Sequence, residues 1–129
     1  MKILALHCDY IKYKPLKKAL RSIELKKGEE DEKHVVEPLV VLTAVEAGDS
    51  PKVVKELIEE VKNIAEQVKA EAIVLYPYAH LSSSLAKPDL AVNVLDEAQK
   101  GLKKIFKTVE KAPFGYYKEF ERKVKGHPL

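Results

Sequence analysis

Apolar and polar positions follow three different patterns along this chain, and each predicts a different kind of element. Ile3, Leu4, Ala5 and Leu6 form an apolar run too short for a helix, so residues 2–8 read as a buried strand. Residues 10–25 alternate loosely and predict extended, hairpin-like structure interrupted at Pro15. The tract KKGEEDEKH at 26–34 reads as a charged turn, a solvated loop between two strands. From Glu37 to Ala47 the sequence EPLVVLTAVEA is β-branched and apolar, the signature of a central strand.

A helical period then takes over. Ser50 is a candidate N-cap, and Pro51 stands at the first helical position, where its missing N–H costs nothing. Val54, Leu57, Ile58, Val61, Ile64, Ala65 and Val68 recur at steps of three and four, one apolar stripe opposite lysines and glutamates, and the pattern ends near Ala70. EAIVLY predicts another strand. After a loop over 76–88, Pro88 and Asp89 open a second helix with Ala91, Val94, Leu95, Ala98, Leu102 and Ile105 toward the core. Residues 107–111 and 117–125 predict two further strands separated by the turn APFG.

Two one-faced helices and five or six strands predict an α/β fold: a mixed, mostly antiparallel sheet with two helices packed on one face. The other face of such a sheet still needs cover. With 129 residues and no linker or repeat, a single domain over 1–129 is expected, large enough for a real core.

Composition narrows the function classes. No apolar run approaches a membrane-spanning length, and Met1 leads straight into KILALH with no secretory signal, so a cytoplasmic protein is expected, without membrane partners. A lone Cys8 excludes an internal disulfide and a cysteine-based zinc cluster, and the four histidines (His7, His34, His80, His127) show no short ligand spacing, so no metal is expected. The net charge of +3 permits RNA contact without arguing for it, and all but Arg21 and Arg122 of the 23 cations are lysine. Enrichment in lysine and glutamate also suits the solvated surface of a thermophile's protein.

Candidate chemistry concentrates in YPYAHLSSSLAKP at 76–88 and KAPFGYYKEFERKVKGHPL at 111–129, where reactive side chains meet prolines, small residues and aromatics after apolar strands. In PFGYYKEF, Gly115 permits an unusual turn that presents amide N–H groups, and Lys118 beside it can hold an anion, a carbonyl oxygen or a water. Its alternative is an exposed strand lysine. His80 is placed to hydrogen-bond a substrate hydroxyl or a water, or simply to tie its own loop. Ser82, Ser83 and Ser84 lack the G-x-S-x-G elbow of a serine nucleophile and read as loop or cap residues. His7 and Asp9 end the predicted first strand, a good position for a site, or fix the loop by local hydrogen bonds. Cys8 reads as a packed thiol, and His127 as either the edge of a site or a chain end.

These two segments, with HCDYIKY at 7–13 and TAVEA at 43–47, resemble the N-terminal editing domain of archaeal threonyl-tRNA synthetases, a relative of D-aminoacyl-tRNA deacylases, over essentially the whole chain. The resemblance implies a D-aminoacyl-tRNA deacylase-like fold, a homodimer whose second copy covers the open sheet face, and the aminoacylated 3′ end of tRNA(Thr) as partner, with no DNA and no cofactor. It implies hydrolysis of the ester of L-serine mischarged on tRNA(Thr), sparing L-threonine, through a water positioned by a charged Lys118 and without a covalent intermediate. Lys118 is then the main catalytic side chain, supported by His80 and Tyr117. Val45, Tyr78, Ala79, Gly115 and Tyr116 line the amino-acid and adenosine pocket, although Val45, Tyr78 and Ala79 would by type alone be read as core. Two departures stand out. Cys8 occupies a position where the family more often has serine, and the family carries a functional glutamate a few residues beyond KGHPL, which has no counterpart here and favours an excised domain. A D-aminoacyl-tRNA deacylase is the nearest alternative, weakened by the absence of SQFTL and glycine-proline motifs. A catalytically silent tRNA-binding or dimerisation module of a synthetase is the alternative from another class.

Overall fold

The computed structural model describes residues 1–126. Its first strand, β1 (Lys2–Lys18), is 17 residues long and organises the sheet. Expected to stop near residue 8 and to break at Pro15, it does neither. Ile11, Tyr13 and Pro15 keep the inward alternation going, and a register shift between Pro15 and Lys17 absorbs the proline, which has no N–H to give the ladder.

The chain returns in β2 (Lys33–Val36) and β3 (Pro38–Ala44), both antiparallel to β1. Sequence reading ran the charged turn through residue 34 and began one strand at Glu37. Instead Glu37 adopts a left-handed φ of 56°, its N–H donating to the Asp9 carbonyl at 2.9 Å, and this kink divides the two strands. Strands β4 (Ala72–Pro77) and β5 (Thr108–Lys111) add in parallel beyond β3, each reached through a helix, as parallel neighbours require. The last strand, β6 (Tyr116–Val124), pairs antiparallel with the far half of β1.

Helix α1 (Lys52–Val68) buries Leu57, Val61 and Ala65, with Val54, Ile58, Ile64 and Val68 at the margins of the stripe. Ser50 does not cap it through its side chain; Pro51 already has helical dihedrals and stands at the cap position. Helix α2 (Pro88–Lys103) buries Ala91, Val94, Leu95, Ala98 and Leu102. Ile105 lies past its end and is 47% exposed, not in the core, because the chain has turned away by then. Gly101 of α2 lets α1 approach closely: a β-carbon there would overlap Cδ1 of Ile58.

Both helices cover one face of β3 and β4, against Leu39, Val41, Ile73 and Leu75. The other face is closed by the chain itself. β1, β2 and β6 curl over it, packing Cys8, Ile11, Tyr13 and Val35, with Phe120, against Val40, Leu42, Val74 and Tyr76. Every residue of β3 is therefore buried, and the sheet face expected to await a second copy is already covered. Burial of each such side chain contributes about 1.5–3 kcal/mol. Among the described residues no helix is long and apolar enough to cross a membrane.

Candidate functional site

A cavity of about 580 Å³ opens where β3 and β4 end, walled by the start of α2 on one side and by β6 on the other. The carboxyl ends of parallel strands are where α/β sheets leave room for ligands, and this volume is within the usual range for them. The eight residues that the family resemblance assigns to a site line this cavity: Lys118, His80, Tyr117, Val45, Tyr78, Ala79, Gly115 and Tyr116.

Strand alternation sorts β6. Tyr116, Lys118 and Phe120 are partly buried, whereas Tyr117 and Glu119 are exposed. Lys118 Nζ donates to the carbonyl oxygens of Pro113 at 2.9 Å and Tyr116 at 3.1 Å, and stands 5.0 Å from the centroid of the Tyr76 ring. Burial lowers its pKa from the ordinary 10.5 to about 8. Two carbonyl acceptors and a ring face still favour the ammonium, which is the prevailing form at pH 7. Tyr76 beneath it is held neutral well above its ordinary range, chiefly by burial.

The turn before β6 depends on Gly115, whose φ of 81° is the left-handed region that side chains resist. Its carbonyl accepts from the N–H groups of Ala19 at 2.8 Å and Leu20 at 3.1 Å, which brings both residues into the cavity wall. A β-carbon at this position would lie 3.1 Å from the Ile23 side chain, and the Tyr116 hydroxyl donates to the Ile23 carbonyl at 3.4 Å. The glycine is thus required by conformation and by space.

Opposite β6, the exit of β4 turns through a single helical turn, Ala79–Leu81, begun by a hydrogen bond from Tyr78 N–H to the Thr43 carbonyl at 2.8 Å. His80 sits on this turn, exposed, its ring 5.2 Å from that of Tyr78. Tyr78 in turn meets Phe120 at 6.4 Å, so an aromatic chain connects the histidine to the strand of Lys118. Val45 is buried at the exit of β3, its carbonyl accepting from Ala86 N–H at 2.9 Å. Tyr117 reaches the cavity rim, 56% exposed as a residue, with its ring 5.8 Å from Lys17 Nζ.

The lining is apolar around one cation. Among the described residues it holds no carboxylate, and an ammonium in such a lining can stabilise negative charge and hold a water. Sequence reading missed Thr43, Phe114, Phe120, Ala19 and Leu20, which also line the cavity. Thr43 alone had a usable signal, a polar residue at the carboxyl end of an apolar strand. His7 and Asp9 lie mid-strand, outside the lining, where Asp9 pairs with Lys125 at 2.6 Å and Lys123 at 3.7 Å. Cys8 is fully buried, its thiol 3.6 Å from the Leu6 carbonyl. His127 lies outside the described residues.

Comparison with known proteins gives a consistent result. A family model, the archaea-specific editing domain of threonyl-tRNA synthetase, matches residues 1–129. The chain is 44% identical to a threonine–tRNA ligase of Thermococcus onnurineus, 46% to that of Pyrococcus horikoshii and 48% to that of Methanobrevibacter smithii, over its whole length in each case. It spans only 21–22% of those relatives. Among solved structures, the c-Myc DNA unwinding element binding protein superposes with a TM-score of 0.74 at 10% identity, covering 98% of this chain and 93% of that one. This last likeness concerns the fold alone, which is D-aminoacyl-tRNA deacylase-like.

Proposed function

The chain belongs to the archaea-specific editing domain of threonyl-tRNA synthetase, and from that membership we propose that it hydrolyses L-serine from mischarged tRNA(Thr) and spares L-threonine. A synthetic site that admits threonine cannot strongly exclude serine, since one missing methyl is worth only about 1–3 kcal/mol. A second pocket that crowds out the methyl is the physical remedy. The terminal adenosine and its ester enter the cavity, with Val45, Tyr78 and Ala79 forming its inner wall.

The single observation that carries the reading is the partly buried Lys118 ammonium, the lone lysine in a largely apolar lining that holds no carboxylate among the described residues. It holds the attacking water and stabilises the oxyanion that forms. Water oxygen bonds to the ester carbon, and its proton passes through the neighbouring ribose hydroxyl to the departing ribose oxygen. Collapse of the tetrahedral species breaks the ester bond, leaving free serine and uncharged tRNA. His80 orients the ribose and Tyr117 meets the acceptor end, where stacking, 2′-hydroxyl and phosphate contacts weaken with rising salt.

The test is amino-acid release from Ser-tRNA(Thr) and Thr-tRNA(Thr) by this chain and by Lys118→Met. Rapid loss of serine alone, abolished in the variant, is the expected outcome. Hydrolysis of neither ester by the unsubstituted chain would sink the proposal.

A further inference from the structure

The run of serines after His80 has no role in the proposed chemistry, yet the structure gives it several defined contacts. Ser82 Oγ donates to Glu46 Oε2 at 2.6 Å and accepts from Ser84 N–H at 3.0 Å. The other carboxylate oxygen of Glu46 is 3.2 Å from the Met1 ammonium. That ammonium also binds Asp49 Oδ1 at 2.9 Å, and Asp49 Oδ2 accepts from Glu46 N–H at 2.7 Å. Glu46 is thereby held from both sides.

Main-chain bonds run alongside. Ala47 N–H donates to the Ser84 carbonyl at 3.0 Å, Ala86 N–H to the Val45 carbonyl at 2.9 Å, and Glu46 faces Leu85 in an antiparallel bridge. Val45, Leu85 and Ala86 all line the cavity. Ser82 also closes the helical turn of His80, its N–H donating to the Ala79 carbonyl at 3.3 Å. One carboxylate therefore ties together the turn that carries His80 and the wall beside Val45.

We infer that Glu46 is a positioning residue for the site: through Ser82 it latches the segment 79–86 onto the exit of β3 and so fixes the width of the cavity. The inference rests on the editing reading. Its physical ground is the weakness of the alternatives. In the segment between β4 and α2, Tyr78, Leu81 and Ala86 pack only partly buried at the margins of the core and Leu85 is exposed, whereas a site must be held within about 0.5 Å to discriminate by shape. Hydrogen bonds to a carboxylate are roughly twice as strong as neutral ones and have a narrower geometry. The Ser82 hydroxyl and then the Met1 ammonium keep the Glu46 carboxyl below its ordinary range, so it stays ionised at neutral pH.

The experiment measures serine and threonine release by the full chain, Ser82→Ala, Glu46→Ala and Glu46→Gln, with amide exchange at Ala47 and Ala86 and thermal midpoints in parallel. Ser82→Ala and Glu46→Ala are expected to lose amide protection and to drop serine-over-threonine selectivity at least tenfold. Glu46→Gln, which keeps an acceptor for Ser82 but not the charge, is expected to fall between the parent and Glu46→Ala. Should the selectivity ratio hold while only the midpoint falls, the tie is merely structural and the inference is overturned. Ser82→Ala keeps the test open if Glu46→Ala does not fold. A parent chain that releases neither amino acid fails earlier, on the editing reading, and takes the positioning role with it.

Discussion

Lys118 Nζ stands 5.0 Å from the centroid of the Tyr76 ring, so the buried cation of the site rests on an aromatic face instead of a carboxylate. A carboxylate partner would hold the charge more firmly but would also neutralise the field in the cavity. The ring and the two backbone carbonyls hold the ammonium in place and leave its charge free to act on a bound ester.

This arrangement costs stability. The folded lysine loses its proton at about 8, the unfolded one near 10.5, so between these values the unfolded chain binds the extra proton and stability rises with pH. Lys118→Met removes the penalty and leaves two carbonyls without their donor, and only the first of these effects changes with pH. Urea unfolding should find the stability of the variant relative to the parent falling as pH rises from about 8 toward 10.5, because the parent alone gains stability over that range. In the same variant serine release should fall by about 10²–10³-fold, the loss typical of an oxyanion-stabilising donor.

The pH–rate profile separates two roles for the lysine. If the ammonium is the active form, serine release by the chain divided by release by Lys118→Met, each corrected for uncatalysed hydrolysis at the same pH, declines as pH rises through about 8. A ratio that climbs through that range would assign the role to the neutral amine as general base. Dividing by the variant's rate cancels titration of the substrate's own amino group.

Gly115→Ala should damage fold and function together. The left-handed backbone costs about 1–2 kcal/mol for a residue with a β-carbon, and that carbon meets Ile23 at 3.1 Å. The loop bearing Ala19 and Leu20 hangs on the Gly115 carbonyl, so the thermal midpoint and serine release should both fall.

Val45→Ala enlarges the inner wall by two methyl groups while leaving its main-chain bond to Ala86 in place. The expected result is hydrolysis of Thr-tRNA(Thr), with selectivity for serine reduced about 10-fold or more. Unchanged selectivity in a folded variant would remove Val45 from the discriminating surface.

Much of this was legible in the chain because local rules and the fold agree. The α1 stripe, Pro88 at the start of α2 and the strand at 72–77 follow directly from period and turn chemistry. The misses have a common cause in tertiary pairing. Pro15 reads as a break until β6 lies opposite and a bulge absorbs it, and Glu37 reads as strand until the carbonyl of Asp9 takes its N–H. At the site, Lys118 and His80 were singled out by the family resemblance, since their local positions read equally as an exposed strand lysine and a histidine that ties its own loop. Ala19 and Leu20 carried no such mark, since only the Gly115 carbonyl brings them to the cavity.

The span of β1 also sets an order in time. Asp9 and Lys125 hydrogen-bond across 116 residues of sequence, one rung beside the ladder that joins β1 to β6. Closing so large a loop is slow, and until it closes the far half of β1 presents an unpaired edge open to other chains. Lys118 rides on the strand that arrives last. The proposed chemistry therefore begins only when both ends of the domain have met.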